Sequence, residues 1–399
     1  MNRLKSVFTC LFLFVAIGSH AQEEIQFNNS WTEAKEKAIQ SRKLIFIDCY
    51  TSWCAPCKWM EKNVFILPVV ARYYNDNFVN LKVDMEKGEG IEMRKKYNVQ
   101  SFPTYLFVNT AGDIVHRTAS RMEADAFLAE AKRAVDPKRN TAALKEQYDK
   151  GTRDLPFLLD YYLALERADR STAGQLSGEI VAKVTAQDLN TELGWKIIKS
   201  LARTENDKLG AHFMANQQAY NNWSKAEERE QLKDRLITST MYGLIRTGDE
   251  QTFFDKLAYF KKSDNMGRKK QGVMLEADYY LEKGRTDDYV KLTSAALKNE
   301  LKDDADKLSF LARRASGGKM GNDQASPAVM QQAYQMAKRA VSLDPEEYSF
   351  QSTFAYVCLA MKKKPEALAA AKKSRALANA ETSKIQKLAQ ELLDKVEAL

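Results

Sequence analysis

The sequence predicts an α/β domain followed by a longer all-α region, and three observations carry that expectation. Apolar runs of strand length at residues 44–50, 78–84 and 105–108 alternate with helical spacings as far as residue 135, the pattern of a sheet flanked by helices. The stretch Asp136-Pro137-Lys138-Arg139-Asn140 is polar and carries a proline that halts the preceding helix, so a linker is expected over 137–140. From Thr141 onward the apolar spacing is helical throughout, with no period-two run.

The elements follow in order. Ile25-Gln26-Phe27 reads as a short strand, and Asn29 or Ser30 can cap a helix to about residue 40 with Trp31, Ala34 and Ala38 as its apolar spine. Residues 44–50 are apolar on both faces, as a central strand must be. A helix then runs toward Phe65, and Pro68 kinks or restarts it before residues 69–74. Residues 78–84 form the next strand, Glu86-Lys87-Gly88-Glu89-Gly90 a polar loop and residues 91–97 a short helix. Residues 105–108 and 113–117 pair as a hairpin around Asn109-Thr110-Ala111-Gly112, and a helix over 123–135 closes the domain. Beyond the linker, Leu189, Leu193, Ile197 and Leu201 recur at i, i+4, and Leu232, Leu236, Ile237, Met241 and Leu244 do much the same.

Ahead of the domain, Arg3 and Lys5 precede an apolar run over 7–17, and Ser19-His20-Ala21 sets small residues at the ends of a cleavage site. This is the pattern of a secretory signal over residues 1–21, too short to span a bilayer. The expected organisation is therefore a signal at 1–21, the α/β domain at 22–136, the linker, and helical hairpins over 141–399. Within 399 residues there is room for two or three domains, and 44% hydrophobic with 29% charged residues is ordinary for soluble protein. The basic runs Lys261-Lys262, Arg268-Lys269-Lys270 and Lys362-Lys363-Lys364 are short and scattered, which argues against a nucleic-acid partner. Nothing predicts stable membrane insertion once the signal is removed.

Chemistry concentrates in Trp53-Cys54-Ala55-Pro56-Cys57-Lys58, where the strand at 44–50 gives way to a helix. A cysteine at a helix's first turn meets unpaired N–H groups and the positive end of the dipole, which pull its pKa from ~8.5 toward ~7 or below. Pro56 in that turn removes no helical hydrogen bond. Two intervening residues put both sulfurs on one turn, close enough for a disulfide, with Cys54 the exposed nucleophile and Cys57 the resolving thiol. Half of a zinc site is the other reading of such a pair, but it needs a second Cys or His pair, and Cys10, Cys49, Cys358, His20, His116 and His212 offer none. No metal and no cofactor other than the redox-active disulfide is expected. Cys49 and Cys358, in apolar stretches, are expected as core thiols, and His116 at the surface.

Residues 25–134 resemble the thioredoxin family, most of all its secreted bacterial members. Phe46-Ile47-Asp48-Cys49-Tyr50-Thr51-Ser52-Trp53-Cys54-Ala55-Pro56-Cys57-Lys58 is similar to the family's strand, turn and active-site helix. Asp48, six residues before Cys54, falls where the family keeps a buried acid, and Phe102-Pro103-Thr104 matches its cis-proline segment. The resemblance implies a thioredoxin fold, a central mixed sheet flanked by helices. It also implies roles: Asp48 relays a proton to or from Cys57, Trp53 shields the disulfide, and Phe102, Pro103 and Thr104 bind a substrate strand. One departure is Thr118-Ala119-Ser120 where many members carry a glycine, which implies a bulkier groove rim.

Ala333-Tyr334, Ala337, Ala340, Leu343 and Asp344-Pro345 resemble the second helix of a tetratricopeptide repeat. Ala367-Leu368, Ala371, Ser374 and Leu377 repeat the pattern 34 residues later. Tyr289, Thr293 and Ala296, following Tyr279 and Gly284, look like a further copy, separated by an insertion placed at 316–327. Repeats are thus expected from about residue 270 and plain helical hairpins before it.

Together these readings imply a periplasmic or secreted thiol–disulfide oxidoreductase acting on a protein client held with help from the helical region. Ala55-Pro56 is close to the Gly-Pro of reducing thioredoxins and lacks the histidine of strong oxidants. Reduction or isomerisation is therefore implied, and with it a membrane or periplasmic electron donor. The rival expectation is a client-binding assembly or scaffold protein whose α/β domain is a docking platform. Copper handling by the two thiolates would want a Met or His cluster, which the motif lacks.

Overall fold

A computed structural model describes residues 24–317 and 325–399. The signal expected at 1–21 and most of the insertion at 316–327 lie outside the described residues. The chain divides into two compact units, one of residues up to 49 with 56–137, the other of 50–55 with 138–399.

The first unit is built in the order β1 (Phe27–Asn28), α1 (Trp31–Ser41), β2 (Leu44–Tyr50), α2 (Ala55–Asn63), α3 (Pro68–Asn77), β3 (Phe78–Asp84), α4 (Gly90–Lys96), β4 (Thr104–Val108), β5 (Ile114–Ala119) and α5 (Ala124–Val135). The strands form one mixed sheet in the order β1-β3-β2-β4-β5, with β1 parallel to β3, and β4 antiparallel to both β2 and β5. Local chemistry sets the boundaries. The Ser30 side chain accepts from the Glu33 N–H to start α1, and Pro68 occupies the first turn of α3, where no N–H is needed.

Because β2 is central, its alternate residues enter two different cores. Phe46 joins Met60, Val64, Tyr74, Phe107 and Phe127 on the face covered by α2, α3 and α5. Ile45, Ile47 and Cys49 join Leu81, Val83, Leu106, Val108 and the alanines Ala34 and Ala38 of α1 on the other. Tyr74 stacks on Phe127 at 4.5 Å, and its hydroxyl donates to the Phe127 carbonyl at 3.1 Å. That pairing satisfies a polar atom inside an aromatic core, which would otherwise cost about 1–3 kcal/mol.

His116 is not at the surface as expected. It is fully buried on β5, its Nε2 lies 2.8 Å from a Glu130 carboxylate oxygen on α5, and its ring packs against Phe107. A carboxylate supplied by the helix covering this strand makes a buried imidazole tolerable.

The second unit contains helices α6 (Thr141–Asp149) to α20 (Ser383–Glu397). The spacing that joined Leu189 to Leu201 is split between α9 (Ala186–Leu189) and α10 (Glu192–Leu201), because Thr191 caps α10 by accepting from the Gly194 N–H. Further on, α14 (Met266–Glu282) packs with α15 (Thr286–Ala296), α16 (Ala305–Ala315) with α17 (Pro327–Leu343), and α18 (Tyr348–Ala360) with α19 (Lys364–Leu377). In each hairpin the second residue after the first helix has a positive φ: Gly284 at 66°, Gly317 at 82° and Lys362 at 57°. The second helices bury the small residues of the sequence pattern, including Thr293 and Ala296, Ala333, Ala337 and Ala340, and Ala367, Ala371 and Ser374. Small side chains there let the paired helices approach closely.

Candidate redox site

The site assembles where β2 ends. Residues 51–54 form a turn closed by the Cys54 N–H donating to the Thr51 carbonyl at 3.1 Å, and α2 begins at the next residue. Cys54 thus stands at the head of α2 and Cys57 one turn inside it. The two are joined as a disulfide. Cys54 is not exposed as expected: it and Cys57 each expose 2% of their surface, while Ala55 and Pro56 between them face solvent. The Thr51–Cys54 turn draws the first cysteine inward. What separates the two thiols is therefore helical position, with only Cys54 at the end of the dipole.

Trp53, ahead of the disulfide, is 36% exposed. The Phe102–Pro103 peptide is cis, and Pro103 is buried. Phe102 is half-buried under the Arg94 guanidinium, 5.3 Å above its ring. Thr104 opens β4, opposite Cys49, and its hydroxyl donates to the Ser101 carbonyl at 2.7 Å. Ser120 occupies the place of the family's glycine with φ 78°, the left-handed region, and its N–H donates to the Pro103 carbonyl at 3.0 Å. Cys49 and Cys358 are free, buried thiols; burial pushes the Cys358 thiol up to about 12 and Cys49 well above its ordinary value.

Asp48 is 1% exposed and, two residues from Phe46, points to the face that α2 covers. Burial pushes its carboxyl from 3.8 up to about 7; the Lys82 ammonium works against the rise and the Glu61 carboxylate adds to it. Neither of its oxygens has a hydrogen-bond partner among the described residues, nor has the hydroxyl of Tyr105, its opposite number on β4. Sequence reasoning missed the surroundings of this acid. Lys82 of β3 and Glu61 of α2 form an ion pair at 2.7 Å, and Tyr105 adds a buried phenol whose pKa is raised by burial and by Asp48. Two signals were present: Lys82 is the lone charge in an apolar strand before Asp84, and Glu61 follows Cys57 by one helical turn. Among the described residues no cluster of three or more His, Cys, Asp or Glu could hold a metal ion. No described helix is long and apolar enough to cross a membrane.

The profile of a thioredoxin-like family matches residues 26–110. Thioredoxin-1 of Drosophila melanogaster is 46% identical over 66 residues, 16% of this chain and 57% of that protein, so the chain spans just over half the length of this relative. A thioredoxin H-type of Oryza sativa subsp. indica is 37% identical over 101 residues, 25% of this chain and 71% of its own length. A solution structure from Bacteroides thetaiotaomicron, described as a candidate disulphide-isomerase, is 47% identical, covering 29% of this chain and 95% of that one at a TM-score of 0.27. With more than two thirds of the rice protein matched at that identity, and with a mixed sheet carrying a Cys54–Cys57 disulfide at the head of a helix, this chain belongs to the thioredoxin family through its N-terminal domain.

Proposed function

We propose that the protein is a thiol–disulfide oxidoreductase that reduces or isomerises disulfides of a protein client. The observation that carries this reading is the Cys54–Cys57 disulfide on the helix covering a fully buried Asp48 whose carboxyl is raised to about 7. A thiol pair at a helix head can exchange with another disulfide, and an acid titrating near neutrality can take and return the proton that exchange requires. In the reducing direction the Cys54 thiolate attacks one client sulfur and forms a mixed disulfide. The other client sulfur leaves as a thiolate and takes up a proton. Cys57 passes its proton to Asp48 and attacks Cys54 Sγ, closing the Cys54–Cys57 disulfide and releasing the second client thiol. The client gains two electrons, and a donor dithiol restores them to the protein.

The further parts of the reading are proposals of the same kind. Trp53, Phe102, Pro103 and Thr104 form the client groove. Residues 1–21 are a secretory signal, which puts the chemistry in the periplasm or outside the cell. Residues 22–136 act on the client, and residues 141–399, tetratricopeptide-like from about 270, select it. A second site on the same chain raises the effective concentration of the client disulfide, to about the millimolar range for a short flexible connection.

A Cys57→Ala variant in its native cells should accumulate Cys54-linked mixed disulfides that a Cys54→Ser variant lacks. Equal trapping by both variants would refute the assignment. A chain ending at Asp136 should reduce small disulfides yet lose most turnover of the trapped client. Undiminished client turnover would give the helical region another purpose and favour the scaffold reading.

A further inference from the structure

We propose that Glu61 is a positioning residue for the redox chemistry: it holds the Lys82 ammonium on the solvent side of Asp48, so that the buried carboxyl stays able to take and give a proton. The proposal rests on the oxidoreductase reading and deepens it.

Three observations carry it. Glu61 lies four residues after Cys57 on α2, so the two project along the same side of the helix, where Met60 and Val64 also pack onto the sheet. Its carboxylate holds the Lys82 Nζ at 2.7 Å, while both Asp48 oxygens lack a hydrogen-bond partner among the described residues. Finally, exposure is graded along the chain of groups: the Asp48 residue is 1% exposed, whereas the Lys82 and Glu61 side chains are 24% and 36% exposed. A lysine on the neighbouring strand is the natural counterion of a buried carboxylate, and in direct contact it would keep that carboxylate ionised at neutral pH. Glu61 competes for it. The result is an acid that remains responsive because its cation is engaged elsewhere.

The other groups around Asp48 do not substitute for this device. Cys57 on α2 exchanges the proton in question. Tyr74 on α3 and Tyr105 on β4 are phenols that burial raises well above their ordinary values, so both stay neutral. Cys49, next along β2, is likewise raised by burial, and His116 on β5 is engaged with Glu130 of α5. That leaves Lys82 and Glu61 as the charges that set the Asp48 field.

Glu61→Gln removes a negative charge from the neighbourhood and releases Lys82 toward Asp48; both changes favour the carboxylate. In the full-length protein, the Asp48 midpoint should fall by about one pH unit. The readout is a carboxyl-carbon NMR titration of aspartate-labelled protein, with the Asp48 signal identified by its loss in Asp48→Asn. At pH 7 the protonated fraction then drops from about one half to about one tenth, a fivefold fall, and the Asp48 limb of the pH–rate profile for disulfide exchange moves the same way. Lys82→Met should shift the midpoint upward, and in that background Glu61→Gln should move it less than half as far. No movement with Glu61→Gln overturns the proposal. Equal movement with and without Lys82 also overturns it, because Glu61 would then act by its own field and not through the lysine. The titration reads Asp48 directly, so it stands even if the protein proves to reduce no client, and failure of the oxidoreductase reading remains distinguishable.

Discussion

Asp48→Asn should stabilise the thioredoxin-like domain above neutrality and leave it nearly unchanged in acid. An aspartate in the unfolded chain titrates near 3.8, whereas burial raises Asp48 to about 7 in the folded domain. Between those values the folded state binds a proton that the unfolded state has lost. The stability associated with this group is therefore fully present below about pH 3.8 and is lost as pH rises to about 7. At about 1.36 kcal/mol per pH unit the loss amounts to about 4 kcal/mol, undiminished by screening because the side chain is fully buried. Asparagine has no proton to lose, so the advantage of the variant should grow from near zero at pH 4 to about 4 kcal/mol at pH 8. The two free thiols supply the assay. Cys49 lies on β2 within the domain and Cys358 in the helical region, both buried, so mass-resolved labelling of each through a denaturant titration of the oxidised protein reports the two regions separately. The Cys49 transition should move to higher denaturant in the variant at pH 8 and stay in place at pH 4, with the Cys358 transition unmoved. A shift of the same size at both pH values would refute the reasoning, since it would show a packing effect and not a titration.

Two further outcomes follow from backbone geometry and are read by the same labelling of Cys49. Ser120→Gly should stabilise the domain by roughly 0.5–1 kcal/mol, because a left-handed residue with a Cβ costs about 1–2 kcal/mol, of which the flexibility of unfolded glycine cancels part. An unchanged or earlier transition would show that Ser120 is not strained. Gly90→Ala should destabilise it by roughly 2 kcal/mol, since an added Cβ would lie 2.1 Å from the Asp84 carbonyl oxygen and the backbone after β3 would have to shift. Wild-type stability in that variant would mean that the loop yields freely.

What was legible in the sequence was whatever is encoded within a few neighbours. The continuous apolar run of β2 declared a strand buried on both faces, and Pro68 marked a kink or a restart, of which the structure has the restart, with the proline in the first turn of α3. The Cys-x-x-Cys spacing declared a sulfur pair on one turn. The misreadings share the opposite property. His116 reads locally as a polar residue on a hairpin strand, and only Glu130, on a helix that returns across that strand, makes its burial possible. The leucine spacing across 189–201 is helical as read, but the boundary that a single threonine cap sets within it does not show in the apolar pattern. Cys54 lies further inside than its place at a helix head suggests, because the turn from Thr51 folds it in.

The same distinction explains why Asp48 could be picked out and its environment could not. Its position six residues before Cys54 is a matter of spacing, which a chain displays openly. Its pKa is set by burial and by groups from α2 and β3, and their meeting is a property of the sheet order. Lys82 and Tyr105, taken alone, are a charged residue in a strand and an aromatic in a core. Once β2 lies between β3 and β4, Lys82 becomes with Glu61 the field in which a proton is held, and Tyr105 becomes part of the wall that buries it. A residue's identity as an acid is therefore local, whereas its usefulness as one near neutral pH is a tertiary property. This is why a substitution as distant in sequence as Lys82 should alter the chemistry at Cys57 while leaving the Cys-x-x-Cys motif untouched.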